Sequence, residues 1–159
     1  MSRMITKYGD IYELKTEQTF DAPIDEVWEF FSTPRNLEKI TPEKLKFQIL
    51  NNIADKAYPG QIIAYKISIF PPVQTKWVTE ITQVKEKEFF VDEQRYGPYA
   101  MWHHEHHFKS EGDKTVMTDL IYFKMPFGIL GKIVFNLYAK KKLTEIFTFR
   151  KEEVLEAFQ

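Results

Sequence analysis

The four histidines of the protein all lie in one short segment, His103-His104-Glu105-His106-His107. Histidine changes its charge near neutral pH, and it can act as an acid, a base, a hydrogen-bond partner or a metal ligand. Residues 99–109 are predicted to form a strand, on which alternate side chains point to opposite faces. His104 and His106 therefore share a face with Trp102 and Phe108. Because aromatic residues flank the two histidines, we predict that this face is the interior.

The opposite face of the same strand carries His103, Glu105 and His107, next to Met101. Exposed histidine and glutamate side chains are compatible with solvent and need no chemical role. We therefore interpret this second face as a solvated surface.

A turn signal at residues 111–113 joins the histidine strand to a predicted strand over residues 115–125. If this hairpin pairs Phe108 with Thr115, then His104 lies opposite Asp119. Both imidazoles and the Asp119 carboxylate would then cluster on one concave face. A slip of one residue would move the whole set to the other face.

Four interpretations of the cluster formed by His104, His106 and Asp119 remain open. It can be a structural hydrogen-bonded network, because buried polar groups need partners. The imidazoles can orient a ligand as polar anchors in an apolar cavity. Either histidine can be a general base with Asp119 behind it. Two histidines and a cross-strand carboxylate can also supply three metal ligands, but nothing else in the sequence supports a metal, and we predict none.

The length of 159 residues suits one domain, and we expect residues 1–159 to form a single folded unit. Aromatic residues make up 16% of the chain, which excludes a disordered protein. The formal net charge of −1 provides no electrostatic footprint for nucleic acid. The absence of cysteine excludes disulfides, thiol nucleophiles and thiolate metal sites.

The segment of highest apolar content, Phe127–Phe135, contains Lys132 and is shorter than the roughly 20 residues that span a bilayer. No signal-peptide pattern follows the N-terminal residues. We therefore expect a cytoplasmic protein with no stable membrane insertion. We also expect a monomer or a weak homodimer.

The apolar periodicity along the chain predicts an α+β protein. A strand over residues 11–20 precedes a helix over 24–32 and a second, brief helix that ends near Pro42. Six strands follow, beginning near Leu45, Ile63, Val73, Phe89, Tyr99 and Thr115, with a turn at Pro71-Pro72. One long helix then runs from about Gly128 to Phe158, with a drift in the middle of its apolar stripe. Consecutive strands with short connections indicate an antiparallel sheet, which helices cover on one face.

Several local motifs, taken in order, resemble those of a known group of proteins. They are Phe20-Asp21-Ala22-Pro23 with Val27-Trp28, Leu37–Pro42, Phe90–Gln94 with Gly97-Pro98-Tyr99, Trp102-x-His104-x-His106-x-Phe108, Thr118-Asp119, and Met125–Gly128 with Leu130-Gly131. Together with the element order, they resemble the SRPBCC superfamily, which includes START-related and birch-pollen-allergen-like proteins. Within it, the chain is similar to a bacterial ligand-binding or polyketide cyclase/dehydrase-like subfamily.

The resemblance implies a helix-grip fold, in which a curved seven-stranded antiparallel sheet wraps around the long C-terminal helix and encloses a cavity. It also implies binding or transport of a small hydrophobic or aromatic molecule, such as a lipid, an isoprenoid or a polyketide-like compound. Fold does not fix activity, so two alternatives stay open. One is a lyase or isomerase of the cyclase or dehydratase type that uses His104, His106 and Asp119. The other is a protein-interaction module without a ligand. We expect a noncatalytic protein without a cofactor.

Aromatic residues on the predicted concave face are candidates for the wall of the cavity, since aromatic walls suit flat or hydrophobic ligands. The predicted ligand-binding residues are Tyr65, Trp77, Phe90, Trp102, His104, His106, Asp119, Phe123 and Phe135.

The lysines Lys140-Lys141-Lys142 follow an apolar stretch that contains Leu137 and Tyr138. This pattern can form a membrane-facing amphipathic helix. We favour the simpler interpretation of a solvated turn of the long helix. Gly128 and Gly131 either let this helix shift or fit it closely to the sheet.

Overall fold

The computed structural model describes residues 4–70 and 73–158, and the predicted turn at Pro71-Pro72 lies outside them. The strands are β1 (Ile5–Tyr8), β2 (Ile11–Phe20), β3 (Gln48–Ile49), β4 (Gln61–Phe70), β5 (Val73–Lys85), β6 (Phe89–Tyr96), β7 (Met101–Glu111) and β8 (Lys114–Lys124). The helices are α1 (Ile24–Phe31), two single-turn 3-10 helices (Pro34–Leu37 and Glu43–Leu45), α2 (Gly128–Val134), a π-helical segment (Phe135–Ala139) and α3 (Lys140–Ala157).

The strands form one antiparallel sheet in the order β1-β2-β8-β7-β6-β5-β4-β3. β2 therefore pairs with β8, the last strand of the chain. The strands β3 to β8 follow one another as a meander. Register shifts interrupt the β4–β5 pair once and the β5–β6 pair twice. Such irregularities bend and twist strands, which helps a sheet to curve.

The α+β helix-grip prediction is confirmed, with eight strands rather than seven. The additional strand β1 pairs with β2 through a two-residue turn at Gly9 and Asp10, and Gly9 has a positive φ of 59°. The predicted strand that begins near Leu45 is mostly wrong. Leu45 ends a 3-10 helix, and only Gln48 and Ile49 pair with β4, because this stretch is a short edge of the sheet.

The predicted long C-terminal helix forms as one continuous rod, with a π-helical turn after its first seven residues. A π-turn inserts one residue into the helical repeat. The inserted residue shifts the sequence positions that face the sheet, so the apolar stripe departs from the regular helical spacing in the sequence. In the folded rod the apolar residues still face the sheet. The buried residues along the rod are Gly131, Phe135, Ala139, Leu143, Ile146, Phe147 and Val154.

The register predicted for the β7–β8 hairpin is wrong by two residues. Phe108 pairs with Met117 rather than Thr115, because a tight turn at Gly112 and Asp113 extends the ladder to Glu111 and Lys114. A shift of two residues keeps every side chain on its face. His106, rather than His104, therefore lies opposite Asp119, and the carboxylate stays on the concave side.

The concave face of the sheet and the C-terminal rod share the hydrophobic core. Trp28 of α1 packs on β6 and β7, with its ring centroid 5.2 Å from that of Phe108. Thr115 is fully buried and donates a hydrogen bond to the Ala22 carbonyl at 2.9 Å, which ties β8 to the chain after β2. No helix within the described residues is long and apolar enough to cross a membrane.

Candidate functional site

The concave face of β7 buries two histidines side by side. His104 and His106 are only 4% and 7% exposed, and their ring centroids are 3.7 Å apart. The alternation of the strand brings them there, since Trp102 and Phe108 are buried on the same face. His103, Glu105 and His107 lie on the outer face, where Glu105 contacts both neighbouring imidazoles.

Two carboxylates flank the buried imidazoles, one from each strand beside β7. Asp119 of β8 places Oδ1 2.9 Å from His104 Nε2 and 2.9 Å from His106 Nδ1. Asp92 of β6 accepts a hydrogen bond from His106 Nε2 at 2.8 Å, and the same oxygen lies 3.6 Å from His104 Nδ1. The contact between His106 Nδ1 and Asp119 is close but poorly aligned for a hydrogen bond, so it acts mainly as an ion pair.

The two imidazoles have opposite pKa shifts. Burial lowers the pKa of His106, but the close carboxylates of Asp119 and Asp92 outweigh burial and raise that pKa to about 8. Burial and the charge of His106 together lower the pKa of His104 below its ordinary value. At neutral pH, His106 is therefore the cation and His104 is neutral. Because Asp119 can only accept, His104 carries its proton on Nε2 and leaves Nδ1 as an acceptor.

The carboxyl groups remain ionised because of this arrangement. Burial raises the pKa of Asp119, but His104 and His106 lower that pKa by a larger amount. The pKa of Asp119 therefore ends well below its usual range. Burial also raises the pKa of Asp92, and the two histidines again reverse the effect. Arg150 of α3 interacts electrostatically with both carboxylates, although burial lowers its own pKa. Two buried anions thus face two cations, His106 and Arg150.

A pocket of about 160 Å³ lies between the sheet and α3, with the charged cluster on its wall. That volume resembles a cavity of about 150 Å³ that can hold one benzene molecule. The half-exposed residues Phe30, Pro34 and Leu37 also line it, so the pocket reaches the surface beside the first 3-10 helix. Its remaining walls are mostly aromatic and aliphatic.

Three buried nitrogen atoms on the pocket wall have no hydrogen-bond partner among the described residues. They are Trp77 Nε1, Arg150 Nε and His106 Nδ1, and the last of these still has the Asp119 carboxylate 2.9 Å away as its ion-pair partner. Trp77 Nε1 and Arg150 Nε are donors only, so these two groups lack an acceptor. Buried polar groups are normally satisfied, so orphaned donors on a pocket wall indicate a place for an acceptor.

The cluster also contains a set of atoms with metal-ligand geometry. One ligand atom each from Asp92, His104 and His106 lies within 4.8 Å of the others. Asp119 would then orient both imidazoles through their remaining nitrogens, as carboxylates do behind metal-bound histidines. The cations of His106 and Arg150 already balance both carboxylates, however, so the cluster needs no metal to be satisfied.

Most of the predicted ligand-binding residues line the pocket, and two do not. The residues that line it are Tyr65, Trp77, Phe90, Trp102, His104, His106 and Asp119. Phe123 and Phe135 instead pack against Tyr12, with ring centroids 5.4 and 3.9 Å from that of Tyr12. They lie outside the pocket because the rod approaches β2 and β8 closely at its start.

Sequence reasoning missed Asp92 and Arg150 as members of the cluster. Asp92 follows Phe90 at a spacing of two, so a strand places both on the concave face. Arg150 lies three residues after Phe147 and four before Val154, within the apolar stripe of α3. A charged residue in that stripe was the available signal.

A helix-grip sheet with a pocket beneath its long helix defines a class of small-molecule-binding folds. Residues 20–144 match the family described as "Polyketide cyclase / dehydrase and lipid transport", and the chain belongs to this family. The predicted SRPBCC membership is thereby confirmed. A comparison with curated protein sequences finds no match.

Solved structures with the same fold come from plants and bacteria. The ginseng major latex-like protein 151 from Panax ginseng has a TM-score of 0.69 at 13% identity, covering 94% of this chain and 99% of its own. Protein Ms6760 from Mycobacterium smegmatis has a TM-score of 0.66 at 16% identity, covering 96% and 94%. Norcoclaurine synthase from Thalictrum flavum has a TM-score of 0.64 at 17% identity, covering 96% and 89%. At these identities the likeness concerns the fold alone.

Proposed function

We propose that the protein binds a small, mainly apolar molecule that carries a hydrogen-bond acceptor, and that it carries this molecule in the pocket beneath α3. The observation behind the proposal is the combination of apolar walls with buried donors that lack partners, chiefly Trp77 Nε1 and Arg150 Nε. An acceptor oxygen on the ligand would satisfy these donors, while its hydrocarbon part would bury apolar surface. The family description, which includes lipid transport, supports this class of ligand.

The test compares 1-tetralone with tetralin, two bicyclic molecules that differ by one carbonyl oxygen. Calorimetric titration should give tighter binding of tetralone. Trp77→Phe keeps an aromatic ring but removes the indole donor, and it should weaken tetralone binding by roughly five- to tenfold, as expected for one buried hydrogen bond. Tetralin binding should stay nearly unchanged.

The matched control is Trp28→Phe, which removes an indole donor from a ring that is buried outside the pocket lining. It should leave tetralone affinity unchanged. The proposal fails if two results occur together. The first is that neither molecule binds, and the second is that mass spectrometry of extracts from the purified protein finds no copurified apolar molecule.

A second candidate function is acid–base catalysis of the cyclase or dehydratase type, and the charge states of the two imidazoles favour it. His104 Nδ1 is left as an acceptor, with Asp92 Oδ2 3.6 Å away, and it lies beside His106, which is protonated at neutral pH. A base and an acid with pKa values shifted in opposite directions are typical of proton-transfer sites. His104 would remove a proton from carbon next to a carbonyl, and the positive charge of His106 would stabilise the enolate that forms.

This second function predicts exchange of the α-hydrogens of 1-tetralone for deuterium in heavy water, followed by NMR. The wild-type protein should accelerate exchange, and His104→Gln should reduce the rate by at least about a hundredfold, as expected for loss of a general base. Glu105→Gln, on the outer face, should retain the wild-type rate. Exchange no faster than in buffer would leave binding as the function of the site.

A further inference from the structure

The first part of the C-terminal rod exposes apolar side chains to solvent. Phe127 is 83% exposed and Leu137 is 80% exposed, and further apolar residues between them are also exposed. We call this surface the apolar helix face, and it consists of Phe127, Ile129, Leu130, Ile133, Val134 and Leu137. Contiguous exposed apolar surface of this kind marks an interaction site in soluble proteins.

The apolar helix face is separate from the core packing of the same rod. Gly131, Phe135 and Ala139 are buried on the opposite side, so the first part of the rod has apolar residues on both its buried and its exposed sides. Along α3 the outward positions become polar, including Lys141, Lys151 and Glu152. The exposed apolar character therefore ends where the lysine run begins, although the helix continues.

The charge around the apolar helix face is mainly positive. Residues 120–144 contain five lysines and no acidic residue. Lys132 lies within the face, and Lys140 and Lys141 extend beyond its end into solvent. Lys132 contacts Asp10 at 2.9 Å, and Lys141 lies 4.0 Å from Glu145. The five lysines still outnumber these two acidic residues, so the surroundings of the face are basic on balance. Apolar side chains with lysines at their border are typical of segments that rest on anionic membranes.

We propose that the apolar helix face docks the protein reversibly onto anionic lipid bilayers. The apolar side chains would enter the boundary between headgroups and acyl chains, while Lys140 and Lys141 would contact anionic headgroups. A symmetric pair of copies would bring the same patch of each chain together, and thus like-charged lysines. The charge therefore favours a bilayer over a second copy. This surface does not depend on the pocket or on its ligand.

The absence of cysteine allows a site-specific test in the full chain. Leu137→Cys places a single thiol on the apolar helix face, and an environment-sensitive nitrobenzoxadiazole label reports its burial. Ser110→Cys is the matched control, because Ser110 lies at the far end of the β7–β8 hairpin from α2. Eleven residues of β8 separate these ends, which corresponds to roughly 35 Å.

With vesicles of phosphatidylcholine and phosphatidylglycerol, the label at position 137 should shift to the blue and brighten, and the label at position 110 should not. Lys140→Gln with Lys141→Gln should weaken vesicle binding by roughly fivefold per lysine, and added salt should remove that difference. Leu137→Glu should reduce vesicle binding at least tenfold, while Ser110→Glu should leave it unchanged.

Two results would overturn the proposal. The first is an identical response of the two labels, or no binding to the anionic vesicles. The second is a dimer in light scattering that Leu137→Glu converts to a monomer, since the apolar helix face would then bind a second copy. Circular dichroism and an unchanged tetralone affinity serve to exclude misfolding of the variants, and failure of tetralone binding alone would not affect this proposal.

Discussion

His104 and His106 have identical side chains and lie two residues apart on one strand, yet they differ in charge. Each imidazole contacts the carboxylates of both Asp92 and Asp119. Both contacts of His106 are shorter than 3 Å, whereas the contact of His104 to Asp92 is 3.6 Å. Two cations at a ring separation of 3.7 Å would repel each other, so only one imidazole is protonated at neutral pH. Differences below 1 Å therefore decide which residue is the acid.

The first prediction concerns the ionisation of His106. NMR titration of the imidazole nitrogens should give His106 a pKa near 8 and His104 a pKa below its ordinary value. Asp119→Asn removes a carboxylate that contacts both rings, and it should lower the pKa of His106 by roughly one unit or more. Assignment is simple, because the chain contains four histidines in one strand.

Glu105→Gln is the control for this titration. Glu105 contacts His103 and His107 on the outer face of β7. Burial lowers the pKa of His103, but Glu93 and Glu105 outweigh burial and raise that pKa on balance. The variant should lower the pKa of His103 and leave that of His106 unchanged. An unshifted His106 in the wild-type protein would contradict the proposed charge state.

The C-terminal rod depends on a close contact at its first turn. A Cβ atom added to Gly131 would lie 1.9 Å from the Pro126 carbonyl oxygen, which is backbone and cannot rotate away. The close approach lets the chain turn directly from β8 into α2, with Phe127 in the left-handed region at φ 62°. This packing, rather than a hinge, accounts for the glycine at position 131.

The second prediction is that Gly131→Ala destabilises the protein by at least about 2 kcal/mol, because the backbone at Pro126 must shift. Chemical denaturation would measure the change in the free energy of unfolding. Asn136→Ala, at an exposed position of the same rod, should change this free energy by less than about 0.5 kcal/mol. A neutral Gly131→Ala would show that the rod start can rearrange freely.

At the scale of the whole molecule, the buried cluster couples folding to pH. The pKa of His106 is about 8 in the folded protein and about 6.5 in the unfolded chain, so its contribution is complete below pH 6.5. This contribution is lost as the pH rises through 8. The pKa of His104 is lowered instead, so its contribution is complete above pH 6.5 and does not change in that window.

The third prediction follows from this linkage. The free energy of unfolding should fall by up to about 2 kcal/mol between pH 6.5 and pH 9, since a shift of 1.5 pKa units corresponds to that amount. The fall should be smaller in Asp119→Asn. It should persist in Glu105→Gln, which leaves the interior cluster intact. A flat profile in the wild-type protein would contradict the prediction.

Acid should destabilise the protein through the two carboxyl groups. Because the pKa values of Asp92 and Asp119 are lowered by folding, both groups add stability above about pH 4, and this stability is lost as the pH falls below that value. We therefore expect the protein to be most stable between the acid range, where the carboxyl groups become protonated, and the alkaline range, where His106 loses its proton.

The sequence by itself determined the order of the longer elements, the inward face of β7 and the membership of Asp119 in the cluster. These follow from periodicity, which repeats every two residues on a strand and holds even when a hairpin register is wrong by two. In the sequence, the π-turn was visible only as a drift in the apolar stripe of the long helix, because no local motif indicates an inserted residue.

Only the tertiary structure showed that Asp92 and Arg150 join Asp119 around the imidazoles. Asp92 and Arg150 come from β6 and α3, and their approach depends on sheet curvature and on how the rod crosses it, which are properties of packing rather than of local sequence. The same packing removed Phe123 and Phe135 from the pocket and left Leu137 in solvent. Apolarity indicates that a side chain favours burial, but the arrangement of the other elements decides whether anything covers it.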